Sequence, residues 1–259
     1  MNAEEIKKGI ISKKEFSKIP EKDIFLAYKK FERRECSEEE KIRLTRDLLR
    51  KVYSAFASGK LLSIKDKSEE WFLRKHLSTR ERLNYYAEIY KKLFGALNEF
   101  SLIDLGSGIN GFSYKFFPRK MKIDYTAVEA VGQFVDLMNF YFKKNNFNAR
   151  AIHESLFNIE KIKSLIKECK SPRVIFLFKV IDSLEMIERD YSKKLLEEIV
   201  PLCDRMVVSF ATKSMIKKDK FKANRKWIID FIEEKFELLE DFDIGGERYI
   251  VFCKRDKSI

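Results

Sequence analysis

The spacing of apolar residues divides the chain into two unlike parts. Up to about residue 98, apolar side chains recur at steps of three and four with charges between them, as in the stretch from Ile42 to Phe56. This spacing is typical of amphipathic helices. Ser37 precedes three glutamates, and a hydroxyl followed by acids indicates a helix start. We therefore predict an all-helical N-terminal domain over residues 1–98.

Beyond Phe100, short apolar runs alternate with helical segments. The predicted strands are 102–105, 125–128, 174–178, 206–210, 236–242 and 247–254, and the predicted helices are 132–144, 159–169, 191–202 and 224–235. This alternation predicts an α/β fold with a mostly parallel sheet covered on both faces. A Gly-Gly turn without a helix joins the last two strands, so they should form an antiparallel pair at one edge. The second domain is placed at residues 99–259.

Composition narrows the class of protein. The 259 residues are 45% hydrophobic and carry a net charge of +12, so the chain can bury a core and is strongly basic. No apolar run reaches the roughly 20 residues of a membrane span, and the first ten residues are too charged for a signal peptide. The four cysteines form no C-x-x-C pair, and neither histidine lies near one. We expect no membrane contact, no metal and a cytoplasmic, monomeric protein.

A glycine-containing turn is the first candidate for chemistry. Asp104-Leu105-Gly106-Ser107-Gly108 closes a strand and precedes a predicted helix, and Glu129 closes the next strand. Such glycines let the backbone approach a ligand, and the acid can accept hydrogen bonds from ribose hydroxyls. The pair predicts a nucleoside-bearing ligand, although a plain strand-to-helix connection remains an alternative. The third glycine of the dinucleotide fingerprint and a phosphate loop are missing from the sequence, which disfavours hydride cofactors and nucleoside triphosphates.

The turn, the acid after the next strand and the antiparallel terminal strand resemble the S-adenosylmethionine-dependent methyltransferases. Four segments are similar, in order, to the aminoglycoside-resistance 16S ribosomal RNA methyltransferases of the FmrO/Arm/Rmt type. They are residues 76–83 (HLSTRERL), residues 102–110 (LIDLGSGIN), Phe176-Leu177-Phe178-Lys179 followed by Leu184-Glu185, and residues 208–214 (VSFATKS). The resemblance implies a Rossmann-like class I methyltransferase domain, S-adenosylmethionine as cofactor and ribosomal RNA, in the small subunit, as partner.

The resemblance also implies roles for individual residues. Arg82 would reach the carboxylate of the cofactor, Glu129 would hold its ribose, and Lys179 would lie near the transferred methyl as the candidate catalytic residue. Simpler structural roles remain open, because Arg82 could pair with Glu81 or Glu88, Lys179 could be a solvated strand end, and His76 could be a packing or capping residue. The cofactor-binding residues implied are His76, Ser78, Arg82, Asp104, Gly106, Gly108, Glu129, Ser155, Leu156 and Lys179.

The sequence departs from the family pattern at several positions. Ser155-Leu156 stands where the family usually has Asp-Leu beside the adenine, which puts that contact in question. Gly111 and Ala211 replace family prolines, and the Gly-Gly-Arg stretch after Ser214 is Ile-Lys-Lys. These changes affect the choice of nucleotide more than the binding of the cofactor.

Basic residues are concentrated in two places. The first 100 residues carry 24 basic and 17 acidic side chains, so the smaller part is the more basic. A second cluster follows the strand that ends near Phe210, at the carboxyl edge of the sheet, where cations can hold phosphates; Phe221 and Trp227 could stack on a base there, although Trp227 could equally belong to a helix core. The predicted RNA-binding residues are Lys213, Lys217, Lys218, Lys220, Lys222, Arg225 and Lys226.

The expected acceptor atom follows from what is missing around the fourth strand. Lys179-Val180-Ile181-Asp182 is not the Asn/Asp-Pro-Pro-aromatic motif used to methylate exocyclic amines, and neither Cys169 nor Cys203 follows a proline. Guanine N7 has a free lone pair and needs mainly orientation, so it is the first choice, ahead of adenine N1. Another RNA, a small molecule, or a non-catalytic nucleic-acid-binding role are the alternatives.

Overall fold

The computed structural model describes residues 2–54, 67–95, 97–212 and 225–255. In these ranges, six α-helices precede the sheet: α1 (Ala3–Ile11), α2 (Glu21–Glu32), α3 (Glu38–Leu49), α4 (Glu69–Lys75), α5 (Leu77–Arg82) and α6 (Tyr86–Phe94). The predicted helical character of this part is therefore confirmed where the structure describes it. Ser37 caps α3, because its side chain accepts a hydrogen bond from the backbone N–H of Glu40 at 3.2 Å.

Within the described part of the chain, the strands form a seven-stranded sheet in the order β3-β2-β1-β4-β5-β7-β6. The first five strands are parallel, and β7 pairs antiparallel with both β5 and β6, as the Gly-Gly turn predicts. The strands are β1 (Glu99–Leu105), β2 (Lys122–Glu129), β3 (Ala149–His153), β4 (Arg173–Phe178), β5 (Arg205–Ala211), β6 (Phe236–Ile244) and β7 (Glu247–Lys254).

Alternating side chains of the strands pack against helices on the two faces. On β1, Leu102 packs into one core with the N-terminal helices and α7, whereas Ile103 packs into a second core with α8 to α11. The helices of the α/β part are α7 (Gly132–Lys144), α8 (Ile159–Glu168), α9 (Ile181–Ile187), α10 (Tyr191–Ile199) and α11 (Lys226–Lys235). None of the helices in the described ranges has the length and apolar character of a membrane span.

Three local features differ from the sequence-based expectations. The edge strand β3 and the helix α9 were not predicted, because each is only five to seven residues long and too short for a clear periodicity. The turn after β1 leads into a 3-10 stretch, Asn110–Phe116, instead of an α-helix. There, Asn110 Nδ2 donates to Asp104 and Ser113 Oγ donates to the Asn110 carbonyl, and such side-chain bonds compete with α-helical pairing.

Strand order reverses between β1 and β4, since β2 and β3 lie on one side of β1 and β4 to β7 on the other. In open α/β sheets, the carboxyl ends of the strands at such a reversal form a crevice that binds ligands. The turn after β1, the end of β2 and the end of β4 all meet at this edge. The fold therefore brings together three of the segments that carry the sequence motifs.

Candidate functional site

A cleft at the carboxyl ends of β1, β2 and β4 contains most of the predicted cofactor-binding residues. Residues from α2, from the end of the described segment 2–54 and from α5 close its other side. Its lining includes Asp23, Val52, Tyr53, His76, Ser78, Thr79, Arg82, Asp104, Gly106, Ser107, Gly108, Glu129, Leu156, Phe157, Phe178, Lys179 and Val180. Ser155 is the one predicted cofactor-binding residue that does not line this cleft.

The turn after β1 depends on its glycines. Gly106 and Gly108 have φ values of 67° and 56°, in the left-handed region that L side chains rarely adopt. A Cβ atom on Gly106 would lie 2.8 Å from Val180 Cγ2, and one on Gly108 would lie 3.2 Å from the His76 Nε2 atom. The turn therefore packs closely on both sides and leaves its backbone exposed to the cleft.

Two buried carboxyl groups hold this turn. Asp104 Oδ2 accepts hydrogen bonds from Asn110 Nδ2 at 2.8 Å and from the Tyr125 hydroxyl at 2.9 Å. Glu129 accepts one from the Gly108 N–H at 2.7 Å and one from the Val131 N–H at 2.8 Å. Burial raises the pKa of both groups, that of Glu129 to about 7. The Glu129 carboxylate thus lies on the same side of the sheet as the turn, as a ribose-binding acid must.

Arg82 crosses from α5 into the cleft and is 3% exposed. Its Nε atom donates to both carboxylate oxygens of Glu247, at 3.1 and 3.0 Å, and its guanidinium lies 4.8 Å from the centre of the Phe178 ring. Arg82 Nη2 is buried and has no hydrogen-bond partner among the residues that the structure describes. The alternative pairings with Glu81 and Glu88 are therefore not what holds this side chain. A buried, unsatisfied guanidinium N–H beside the turn suits a carboxylate ligand.

Glu247, the first residue of β7, contacts two cleft residues and was not predicted. It is buried, and it contacts Arg82, the Lys179 ammonium at 3.1 Å and the Ser209 hydroxyl. Burial raises its pKa, but Arg82 and Lys179 outweigh burial and lower it, so Glu247 is ionised at neutral pH. A single acid at the start of a strand gives no sequence signal, because its partners lie 38 to 165 positions away.

Lys179 lies at the mouth of β4, as the resemblance implies, but it is not a solvated strand end. Its backbone is left-handed, with φ of 58°, and its side chain is only 10% exposed. The ammonium donates to Glu81 at 2.6 Å and also contacts Glu247. Two carboxylates therefore hold this cation in place beside the turn.

His76 and Ser78 are both buried at the wall of the cleft. Burial, with Arg82 and Lys179 nearby, lowers the pKa of His76 to about 3, so its imidazole is neutral at physiological pH. The ring packs against Gly108. His76 accordingly shapes the turn as a neutral group and does not add a charge to the site.

The adenine-side residues are arranged differently from the expectation. Leu156 lines the cleft, but Ser155 is fully buried and its hydroxyl accepts a hydrogen bond from the Phe157 N–H at 3.0 Å. The serine therefore stabilises the turn after β3. Instead, Asp23 of α2 faces the cleft here. It was not predicted, because its position on an amphipathic helix carries no motif.

The predicted RNA-binding residues are only partly covered by the structure. Lys213, Lys217, Lys218, Lys220 and Lys222, together with Phe221, lie outside the described residues. Arg225 donates to Asp182 at 2.5 Å and to the Ala211 carbonyl at 2.6 Å, and its guanidinium lies over Phe210. Arg225 thus ties the start of α11 to α9 and β5, and Lys226 is the first residue of α11. Trp227 packs against the second core, which favours its helix-core role.

These features together fit a nucleoside that carries an amino-acid group. Three of the buried polar atoms that lack hydrogen-bond partners in the described ranges belong to cleft residues, namely Asp23 Oδ2, Arg82 Nη2 and Ser107 Oγ. Arg82 provides a cation for a carboxylate, and Glu129 an acid for a ribose. No group of three or more potential metal-binding side chains occurs within the described part of the chain. Sheet order and cleft define a class I methyltransferase.

Comparison with known proteins identifies the family. The model of the ribosomal RNA methyltransferase (FmrO) family matches residues 39–237, which is more than half of the chain. The chain therefore belongs to the FmrO family of ribosomal RNA methyltransferases, and S-adenosylmethionine is its methyl donor. The search of curated proteins finds no match.

Solved structures resemble the chain over nearly its whole length. The 16S rRNA methylase RmtB has 17% identity and a TM-score of 0.79, with 98% of this chain and 99% of that chain covered. The 16S rRNA methyltransferase RmtF, solved with S-adenosyl-L-homocysteine, has 17% identity, a TM-score of 0.80, and 98% and 100% coverage. An rRNA methylase from Escherichia coli has 17% identity, a TM-score of 0.77, and the same coverage as RmtF. At this identity the matches establish the fold.

Proposed function

We propose that this protein methylates 16S ribosomal RNA in the small ribosomal subunit, at N7 of a guanine. The observation that carries the proposal is the cleft in which Arg82 Nη2, the Gly106–Gly108 turn and the Glu129 carboxylate converge. The family match supports an rRNA substrate, and the whole-chain similarity to RmtB and RmtF supports the 16S molecule. We also propose that the protein acts in the cytoplasm as a monomer.

The residues of the cleft divide the work of binding and orientation. Arg82 Nη2 would donate to the carboxylate of the cofactor, with Glu247 fixing the guanidinium from behind. Glu129 would accept from the ribose hydroxyls, and Leu156 would pack against the adenine. S-adenosylmethionine supplies a methyl group on a sulfonium, which guanine N7 can attack directly with its lone pair. The protein then needs mainly to align the base with the methyl group.

Lys179 would act at this point through position and charge. Its ammonium is held by Glu81 and Glu247 at the mouth of β4, where a flipped base would enter beside the methyl group. The ammonium could donate to guanine O6, an acceptor at the position where adenine has a donating amino group. This placement supports guanine N7 over adenine N1.

The RNA itself would be held by the helical part and by the basic segment. We propose that residues 1–98 form a recognition domain and residues 99–259 the catalytic domain. The lysines at 213, 217, 218, 220 and 222 follow β5, and β5 ends beside β4 at the cleft edge. Arg225, paired with Asp182, would anchor the end of this segment, and Lys226 would extend its charge.

Methyl transfer decides the substrate. Radiolabelled S-adenosylmethionine is incubated with purified small subunits, free 16S rRNA and tRNA, and the labelled product is treated with borohydride and aniline, which cleave the strand at 7-methylguanine. Label in small subunits with cleavage at one guanine is the expected result. Label without cleavage would replace N7 by another acceptor such as adenine N1, and label only in tRNA would overturn the rRNA substrate.

Lysine substitutions test the basic segment. Replacing Lys217, Lys218 and Lys220 by alanine should weaken RNA binding and reduce the salt slope of log K by about 0.9 for each phosphate that the variant no longer neutralises. The matched control replaces Arg119, Lys120 and Lys122, three exposed bases at the amino end of β2, and should change neither quantity. Equal effects of the two triple variants would mean that the charge acts only at long range.

A further inference from the structure

A buried carboxylate from the helical part of the chain reaches the adenine end of the cleft. Asp23, in the first turn of α2, is 1% exposed. Its Oδ1 atom accepts a hydrogen bond from the Tyr53 hydroxyl. Its Oδ2 atom is buried and has no hydrogen-bond partner in the described part of the chain. An unsatisfied buried carboxylate oxygen is costly unless a ligand supplies a donor.

The position of Asp23 restricts what that donor can be. Burial is the main cause of the raised pKa of Glu129, and the nearby charges of Asp104 and Asp23 add to it. Burial also raises the pKa of Asp23, whereas the neighbouring Ser155 and Tyr53 hydroxyls lower it. Asp23 therefore lies near Glu129 and next to the turn that contains Ser155 and Leu156. The walls of the cleft here are apolar, with Val52, Leu156 and Phe157.

An apolar slot that ends in a carboxylate oxygen fits a flat ring with an exocyclic amine. We propose that Asp23 Oδ2 accepts a hydrogen bond from the 6-amino group of the adenine of the cofactor. Asp23 thereby supplies, from α2, the carboxylate that Ser155 cannot offer after β3. The Ser155 hydroxyl instead accepts a hydrogen bond from the Phe157 N–H.

The fold holds Asp23 firmly enough for this role. Tyr53 orients the carboxylate, and Lys30, on the same helix, donates to the Met186 carbonyl of α9 at 2.9 Å. Leu26 of α2 packs against the second core. Cofactor binding would consequently join the N-terminal helices to the sheet, since Asp23 and Glu129 would contact the same nucleoside from opposite parts of the chain.

The test compares two ligands that differ only at the 6-position. Calorimetry measures the Kd of S-adenosyl-L-homocysteine and of its 6-deamino analogue, in which hydrogen replaces the 6-amino group. The wild type should prefer the amino ligand by about ten- to hundredfold, as expected for a hydrogen bond to a charged group. Equal affinity of the wild-type protein for the two ligands would by itself overturn the proposal.

Variants then assign the preference to Asp23. Asp23→Asn should weaken binding of the amino ligand about tenfold or more and reduce its preference over the 6-deamino ligand to the same extent, because the uncharged amide accepts a weaker hydrogen bond from the 6-amino group. The control Glu32→Gln, at the exposed end of the same helix, should leave both Kd values within twofold. Thermal unfolding checks that each variant is folded. An unchanged ratio in folded Asp23→Asn would overturn the proposal.

A milder variant covers the case in which Asp23→Asn does not fold. Tyr53→Phe removes the hydroxyl that orients the carboxylate and keeps the carboxylate itself, so the ratio should fall about threefold or more. No change in the ratio would count against Asp23. The inference rests on S-adenosylmethionine as cofactor, but the experiment tests the two claims separately. If neither ligand binds to the wild type, the proposed function is overturned. If both bind with equal affinity, only the role of Asp23 is overturned.

Discussion

The two ends of the cleft contain buried charges in different surroundings. At the end beside β7, Arg82 and Lys179 both contact Glu247, and these opposite charges lower the pKa of the acid despite its burial. At the other end, the partners of Asp23 and Glu129 are hydroxyl and amide groups, and burial raises the pKa of both acids.

This difference suggests that the buried charges at one end serve mainly the stability of the fold and those at the other end mainly the binding of the cofactor. The ion-pair network beside β7 joins α5, β4 and β7 before any ligand arrives, so it should contribute mainly to the free energy of unfolding. The acids at the other end would gain further donors when a nucleoside binds. We therefore expect the loss of Glu247 to act mainly on stability and substitutions of Asp23 and Glu129 to act mainly on cofactor affinity.

The largest expected effect is on stability. Glu247→Gln leaves the Arg82 guanidinium buried without its counter-charge, which should lower the free energy of unfolding by about 3–5 kcal/mol. Urea unfolding measures this change. The control Asp241→Asn breaks the part-exposed Arg248–Asp241 pair of the same hairpin and should cost less than about 1 kcal/mol. Comparable losses in the two variants would show that the buried network does not stabilise the fold.

The next effect is on cofactor affinity. Glu129→Gln places an amide where the Gly108 and Val131 N–H groups both donate, so the amide NH2 group faces one of these N–H groups. The ribose also loses its charged acceptor. The Kd for S-adenosylmethionine should rise at least tenfold, measured by calorimetry. Asp124→Asn, an exposed acid on the same strand, serves as control. An unchanged Kd in Glu129→Gln would remove Glu129 from the site.

The raised pKa of Glu129 predicts a pH dependence of stability. The folded protein keeps a proton on Glu129 up to about pH 7, whereas the unfolded chain releases it near the ordinary value, so stability falls as pH rises from about 4.5 to 7. The loss from this group should approach 3 kcal/mol, on the order of 1.4 kcal/mol per pH unit. Unfolding of wild type and Glu129→Gln at pH 5 and pH 7.5 measures it, and parallel pH curves would contradict the prediction.

The same carboxyl should release a proton when the cofactor binds, since ribose hydroxyls stabilise the ionised form. Calorimetry at pH 7 in buffers of different ionisation enthalpy counts the protons released. The wild type should release more protons than Glu129→Gln. The variant serves as the reference, because any proton released by the amino group of the ligand is the same in both proteins. Equal release in the two proteins would mean that Glu129 does not change its ionisation on binding.

The smallest expected effect is at the rim of the network. Glu81 also contacts Lys179, but its side chain is 32% exposed. Glu81→Gln should change the free energy of unfolding by less than about 1 kcal/mol and leave the cofactor Kd within twofold. A loss as large as that of Glu247→Gln would show that burial does not distinguish the two acids.

Much of the fold followed from the sequence, because long segments carry clear periodicity. The parallel strands, the C-terminal hairpin and the turn at Gly106–Gly108 all have local signatures. The edge strand β3 and helix α9 are too short for such a signature. Local signals also placed Glu129, since its distance from the turn is set by one strand-helix-strand unit.

The sequence by itself determined most of the elements, the family and the segments that meet at the carboxyl edge of the sheet. Only the tertiary structure decided which side chains share the cleft. Glu247 reaches Arg82 across 165 positions, and Asp23 reaches the nucleoside end from the N-terminal helices. Their roles depend on burial and on neighbours that are distant along the chain, and local spacing carries no information on either.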